Sequence, residues 1–376
     1  MAGIYLHIPF CKRACHYCNF HFSTSLANKN DFVSALLKEI GFQQQYLQDE
    51  IIETVYFGGG TPSLLTNDEL YSIFSELNAT FKINADAEIT LEANPDNISV
   101  EKLREWKSLG INRLSIGVQS FFDEDLQWMN RSHNAAQAFD SITNAFAEGF
   151  NNITIDFIYG TSVLTDINWK KNIDKAIELN ISHLSCYALT VEPKTALAKM
   201  IAKKEIKDVD QSDQSRQFLL LMNWLKAAGY GHYEISNFAK PGFRSRHNSS
   251  YWQRKKYLGL GPSAHSYNGV SRQWNISNNA LYIESLKKNE LIFEKEELTS
   301  VQKLNEYIMT SLRTMEGCDL NYVANEFGGE AADKLIQFSK IYVEKSLLKI
   351  NSEIVLTDQG KLFADGIAAD LFFENL

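Results

Sequence analysis

No stretch of eighteen or more apolar residues occurs in this chain, so no membrane-spanning helix is expected. The first ten residues, Met-Ala-Gly-Ile-Tyr-Leu-His-Ile-Pro-Phe, lack the basic leader and long apolar run of an export signal. Positive charge is in deficit as well: 37 Lys and Arg stand against 46 Asp and Glu, a formal net charge of -9 with a pI near 5.5. A nucleic-acid surface needs clustered cations to neutralise phosphates, so the expected ligands are small molecules and no nucleic-acid partner is expected. Cysteine is scarce, five residues in 376, and an odd number with Cys186 and Cys318 far apart argues against a disulfide framework. Together these absences point to a reducing cytoplasm. What the chain does have is apolar content, 44% of its residues, enough for one large α/β domain and a smaller one, each with its own core.

The other three cysteines, Cys11, Cys15 and Cys18, form a C-x3-C-x2-C array. Three thiolates on one short loop can hold three corners of a four-iron, four-sulfur cluster, leaving the fourth iron without a protein ligand and open to chemistry. A zinc site recruiting His16 or His21 is the competing reading, although the second, distant ligand pair of a zinc knuckle does not follow. Three unrelated buried thiols would not be expected to cluster so tightly.

Hydrophobic periodicity places this loop. Ile4, Leu6 and Ile8 alternate with Tyr5 and His7, so residues 3 to 8 read as a strand that Pro9 closes directly before the cysteines. Asn30 or Asp31 is expected to cap a helix with Val33, Leu36, Leu37 and Ile40 inward. A strand at 54 to 57 ends in Gly58-Gly59-Gly60-Thr61-Pro62, and Thr66 with Glu69 forms a capping box for the next helix. The pattern repeats: strand 87 to 93, a helix from Ser99, strand 112 to 118, helix 134 to 148, strand 153 to 158, a helix near 168 to 179, and strand 182 to 189. Six strands alternating with helices imply a parallel sheet with right-handed crossovers, an incomplete (β/α)6 barrel. In such folds the chemistry lies at the carboxyl ends of the strands, where the cysteine loop, the glycine run, Glu92, Gln119 and Asp156 all fall.

Residues 200 to 297 are less regular, apart from an amphipathic helix carrying Phe218, Leu221, Met222 and Leu225, and read as a connecting region after a barrel domain of residues 1 to 199. From 298 to 376 the texture changes to helices at 300 to 313, 319 to 327 and 330 to 348, then two short runs about a turn at Asn351-Ser352. This predicts a small winged-helix-like α+β domain. With seven Lys and Arg against twelve Asp and Glu, it is expected to be structural or partner-binding, not a DNA reader.

The glycine run follows a strand, where backbone free of side chains can approach a ligand; it lacks the lysine of a phosphate loop. Read alone it is also compatible with a tight turn. With the cysteine array, and with Tyr17 before the last cysteine, it resembles the signature of the radical S-adenosylmethionine (SAM) enzymes. That resemblance implies a 4Fe-4S cluster on Cys11, Cys15 and Cys18, and SAM beside it. It assigns the Gly59, Gly60 and Thr61 backbone to the methionine amino group and Glu92 to the methionyl group. Gln119 and Asp156 fall to the ribose, Arg131 to the methionyl carboxylate, and Tyr5, Tyr17 and Ala188 also to the cofactor site. The residue types suit these roles, since guanidinium grips a carboxylate through two bonds and a carboxylate accepts from a diol.

Within the superfamily the chain resembles the oxygen-independent coproporphyrinogen III oxidase group over nearly its whole length. True dehydrogenases of that group continue the array to a fourth cysteine and carry an extension before the first strand; here Phe20 occupies that fourth position and the chain begins at the strand. The resemblance therefore implies the heme-chaperone branch, which holds heme and passes it to acceptor proteins, at a membrane surface among other places, and it allows an oligomer. The alternative is radical decarboxylation of coproporphyrinogen III to protoporphyrinogen IX. Arg246-His-Asn-Ser-Ser-Tyr-Trp252 matches the H-N-x-x-Y-W motif of the chaperone branch, making His247 the expected heme-iron ligand and His265 a secondary candidate. A structural histidine in an aromatic corner remains the other reading of His247.

Overall fold

The computed structural model describes residues 2 to 375. In chain order the first half runs β1 (Ala2–Ile8), α1 (Lys29–Phe42), β2 (Ile52–Gly59), α2 (Asn67–Thr80), β3 (Ile83–Ala93), α3 (Val100–Ser108), β4 (Arg113–Gln119), α4 (Asp123–Trp128), α5 (Ala135–Ala147), β5 (Ile153–Tyr159), α6 (Asp166–Glu178) and β6 (His183–Ala188). Strands β1 to β6 are neighbours in sequence order and pair in parallel, the (β/α)6 wall expected from the alternation. Capping follows the sequence closely. Thr66 and Glu69 form the capping box of α2, Ser99 caps α3, and Asn134 with Gln137 caps α5. Helix α1 differs: it starts at Lys29 after Asn28, without a side-chain cap, so neither Asn30 nor Asp31 caps it.

Each strand has two chemically distinct faces. Ile4, Leu6, Val55, Phe57, Leu91, Leu114, Ile116, Ile155 and Leu184 join the main core, packed with Leu36, Ile73, Trp106, Ile142 and Trp169 of the helices. The alternate residues, among them Tyr5, Thr54, Tyr56, Glu88, Glu92, Arg113, Ser115, Asp156 and His183, share the opposite face because strand side chains alternate. The inner wall is therefore polar.

The second half adds α7 (Ala196–Ala202), α8 (Gln211–Ala227), β7 (Gly231–Glu234), β8 (Asn237–Ala239), α9 (Arg246–Trp252), β9 (Lys256–Leu260), β10 (His265–Tyr267), β11 (Ser271–Asn275), α10 (Asn279–Lys287) and β12 (Phe293–Glu297). These short strands extend the sheet at both sides, giving twelve strands in the order β12-β11-β10-β9-β1-β2-β3-β4-β5-β6-β8-β7. The sequence gives no periodic signal for them because strands of three to five residues are too short to show one. A buried carboxylate ties this flank to the wall: Glu39 of α1 accepts from the Gly261 amide at 2.7 Å, from Asn275 and from the Tyr282 hydroxyl.

The remaining elements are α11 (Ser300–Leu312), β13 (Cys318–Asp319), α12 (Leu320–Phe327), α13 (Gly329–Glu344), β14 (Leu348–Ile350), β15 (Glu353–Leu356) and α14 (Ala364–Asp370). They surround a second core of Leu304, Ile308, Val323, Leu335, Leu348, Ile354 and Leu371, with a three-stranded antiparallel sheet ordered β13-β15-β14. Among the described residues no helix is long and apolar enough to cross a membrane.

Removing Glu39 would strand three buried donors at once. Glu39→Ala is expected to lower unfolding stability by about 3 kcal/mol, read from urea midpoints at constant slope. A loss below about 1 kcal/mol would show that this anchor does not hold the flank.

Candidate functional site

Pro9 ends β1, and the next residues turn over the carboxyl ends of the strands. The cysteine loop is closed on itself by the Cys11 amide to Ser23 carbonyl (3.0 Å) and the Ser23 amide to Pro9 carbonyl (2.8 Å). It is tied across the site by His16 to the Trp128 carbonyl (3.0 Å), by the Asn130 side chain to the Ala14 carbonyl (2.7 Å) and by Arg13 to the Arg131 carbonyl (3.1 Å). Gly60 sits directly beneath: a Cβ there would lie 2.7 Å from the Phe10 carbonyl oxygen and 2.8 Å from that of Ile8. Glycine is required because β2 must turn against the start of the cysteine loop.

Under the loop lies a cleft of about 440 Å³. Cys11, Cys15, Tyr17 and Cys18 line one side, with Gly59, Gly60, Thr61, Glu92, Gln119, Arg131, Asp156 and Ala188 around the rest. Thus twelve of the residues singled out by sequence meet in one place, drawn from six strands and the loops that follow them. Thr61 donates to the Cys11 sulfur at 3.5 Å, and Arg131 donates to the Cys15 sulfur at 3.3 Å. Arg131 also donates to the Tyr17 hydroxyl, to Asn94 Oδ1 at 2.7 Å and to the Gly117 carbonyl at 2.9 Å, while its buried Nε has no partner. A β-bulge between Ile116 and Gln119, with Gln119 at φ +65°, turns that side chain into the cleft.

Two carboxyl groups share the floor. Burial pushes Glu92 up to about 8, against the Tyr56 hydroxyl that donates to it at 2.8 Å, with the nearby Asp156 raising it further. Asp156 is pushed up to about 6, again by burial, opposed by Ser185, Arg113, Arg131 and Ser115. Burial likewise raises the Cys11 thiol to about 11. Such a floor is prepared for a ligand carrying positive charge and hydroxyl donors.

Comparison with known proteins is consistent with this geometry. The sequence profile of the Radical SAM superfamily matches residues 5–191. The heme chaperone HemW of Bacillus subtilis is 33% identical over 372 residues, covering 98% of each chain, and HemW of Mycobacterium tuberculosis is 33% identical over 98% of this chain and 94% of its own. The chain belongs to the HemW family of radical SAM proteins. Among solved structures, coproporphyrinogen III oxidase (HemN) of Escherichia coli, described as a radical SAM enzyme, superposes with a TM-score of 0.86 at 23% identity, over 100% of this chain and 90% of that one. That likeness establishes the fold.

Membership of the superfamily implies a 4Fe-4S cluster and SAM, and the residues here suit both. Three thiols face one cleft, two of them already accepting hydrogen bonds from Thr61 and Arg131, as cluster thiolates would. The orphaned Arg131 Nε and the raised carboxyls supply unspent donor and acceptor capacity for an amino-acid ligand. Asn94, which bridges Thr61 and Arg131, was not singled out by sequence, although it follows Glu92 in the same Glu-Ala-Asn-Pro run.

Three of the expected site residues fall elsewhere. Tyr5 lies on the inner wall with its hydroxyl on His7 Nδ1 at 3.2 Å, outside the residues lining the cleft. His265 is exposed on β10, its ring stacked on Trp274 at 6.0 Å. His247 is not presented as an open heme ligand. The imidazole is 1% exposed, Nδ1 is engaged with Thr54 Oγ1 at 2.8 Å, Nε2 with the Tyr251 hydroxyl at 2.9 Å, and Tyr56 stacks on it at 4.9 Å. Axial ligation needs a free nitrogen lone pair reachable from solvent, and this ring is committed to packing. The motif's spacing is that of one helical turn, which sends His247 and Tyr251 to the same inward face of α9.

Cys15→Ala is expected to abolish a full 4Fe-4S complement after anaerobic reconstitution, whereas Cys186→Ala and Cys318→Ala, both buried away from the cleft, retain it. Iron and sulfide analysis checks this; an intact cluster in Cys15→Ala would move the ligand set elsewhere.

Proposed function

We propose that the protein binds heme and delivers it to heme-requiring acceptor proteins, as a HemW-type chaperone that keeps a complete radical-SAM cleft. The observation that carries this reading is 33% identity to a protein named heme chaperone HemW over 98% of both chains. Phe20 supports it: where a dehydrogenase has a further cysteine, this chain places an aromatic ring that is 69% exposed at the cleft.

Within the cleft, we assign Cys11, Cys15 and Cys18 to the cluster, which when bound supplies an open iron and an electron. Arg131 holds the methionyl carboxylate of SAM, with Asn94 and Gly117 fixing its guanidinium. Glu92 and the backbone of Gly59 to Thr61 receive the methionyl amino group, and Gln119 and Asp156 receive the ribose hydroxyls. Tyr17 orients Arg131 from the loop side. Heme ligation by His247 requires its imidazole to give up either Thr54 or Tyr251, so opening of α9 is part of that assignment.

Two measurements test the proposal. Reconstituted protein is expected to bind hemin with a defined Soret band and to leave coproporphyrinogen III unconverted under anaerobic, reducing conditions with SAM. Formation of protoporphyrinogen IX would replace the chaperone reading by the dehydrogenase one, and a Soret band unchanged in His247→Ala would place the iron ligand elsewhere. Separately, Arg131→Ala should weaken SAM binding by about thirtyfold or more, the ratio set by losing one partner of a desolvated charge pair. Unchanged affinity would remove Arg131 from the site.

A further inference from the structure

One short run of the chain, Asn130 to His133 after α4, ties the parts of the cleft to one another. Asn130, at φ +57°, sends its side chain to the Ala14 carbonyl of the cysteine loop, 2.7 Å away. Arg131 reaches Cys15, Asn94 and the Gly117 carbonyl; Ser132 donates to Asp96 at 3.0 Å, and Asp96 receives Lys12 of the cysteine loop at 2.9 Å. The fourth member, His133, does not line the cleft. It is 4% exposed, and its Nε2 lies 3.0 Å from the Val118 carbonyl. A carbonyl only accepts, so Nε2 carries the proton and donates. Among the described residues the buried Nδ1 has no partner, which leaves this bond as the anchor of the ring.

Val118 belongs to the bulge that turns Gln119 into the cleft. Its carbonyl also accepts the Ser120 amide at 2.8 Å, closing a three-residue turn with Gln119 at the centre and φ +65°. A side chain is strained in that conformation, which persists only where the surroundings hold it. Buried groups hold it from both ends. Ser120 Oγ donates to Asp125 at 2.6 Å and Asn172 accepts the Phe121 amide at 2.7 Å, fixing the residues after the turn. Before it, Arg131 holds the Gly117 carbonyl and His133 that of Val118. The fit is close: a Cβ on Gly117 would lie 3.1 Å from Gln119 Nε2 and 3.0 Å from Arg131 Nη2, so both functional side chains stand over a glycine. The Ser120 amide alone satisfies the Val118 carbonyl. What the His133 bond adds is direction.

We propose that His133 is a positioning residue of the cofactor cleft: by donating to the Val118 carbonyl it holds the strained turn that directs the Gln119 carboxamide at the ribose of the ligand. The proposal rests on the SAM reading and adds to it a residue that touches no ligand. Burial and the Arg131 guanidinium push the imidazole down to about 4, so the ring is neutral near pH 7 and keeps the tautomer that donates.

The test measures equilibrium binding of SAM and of L-methionine, which offers the same amino and carboxylate groups without a ribose, to the reconstituted full chain. His133→Leu should bind SAM about threefold to tenfold more weakly and bind methionine as wild type does. His133→Gln, whose amide N–H can reach the same carbonyl, should recover most of the SAM affinity. Gln119→Ala should itself weaken SAM binding, and adding His133→Leu to it should cost nothing further, because the turn then has no carboxamide to direct. Iron-sulfur absorbance and melting temperature report folding; His133→Asn, polar but too short to make the bond, replaces the leucine variant if that one does not fold. Undiminished SAM affinity in His133→Leu, a loss shared equally by methionine, no recovery in His133→Gln, or the same loss again on top of Gln119→Ala overturns the role of His133 and leaves the SAM cleft in place. A wild-type protein that binds no SAM overturns the SAM reading itself.

Discussion

The inner wall of this protein is organised by one buried cation. Arg113, 1% exposed, reaches from the start of β4 toward Glu88, 3.9 Å away, and donates to Thr154 on the neighbouring strand. Glu88 in turn accepts the backbone amides of Arg246 at 3.0 Å and His247 at 2.9 Å, which fixes α9 against the sheet. The same guanidinium opposes the upward shifts of Glu92 and Asp156 and helps hold His183 and His247 neutral. A buried ion pair contributes little net stability compared with apolar replacement, yet losing one partner leaves the other charge unsatisfied. Burial is the larger influence on the protonation of Glu92, Asp156, His183 and His247, and the Arg113 guanidinium adds to it or opposes it.

The polar inner wall carries both the cleft and the H-N-x-x-Y-W motif on one sheet. At the carboxyl ends of the strands Glu92 and Asp156 face the cleft beneath the cysteine loop; at the opposite side His247 is stacked on Tyr56, whose hydroxyl ends on Glu92. The cleft and the H-N-x-x-Y-W helix are therefore in contact through Tyr56, with Tyr5 stacked alongside.

The C-terminal unit serves the same region from outside. Arg313, at the end of α11, spans buried Glu234 of β7, the Trp252 ring and Asp365. Arg254 lies over Tyr307 and Tyr322 and donates to the Tyr322 hydroxyl at 2.9 Å. Acidic in composition, this unit meets the rest of the chain through arginine and aromatic contacts around α9.

Sequence alone determined the features that depend on local chemistry. The two-residue alternation of Ile4, Leu6 and Ile8, the capping box at Thr66, and the hairpin about Asn351-Ser352 are short-range signals, and each appears at its expected place. The cysteine array and the motifs through Asp156 were legible because they lie on the wall strands or in the connections that leave them, so one topological rule brings them to one cleft. Only the tertiary structure decided the rest. Strands β7 to β12 are too short to announce themselves, and they exist because the edges of the six-stranded wall offer unpaired backbone groups. His247 carries the right atom for a heme ligand, but a residue's identity does not say which way its helix faces. The Glu88 carboxylate that receives the amides of α9, 158 residues distant in sequence for Arg246, turns the imidazole inward and leaves Trp252 against Arg313.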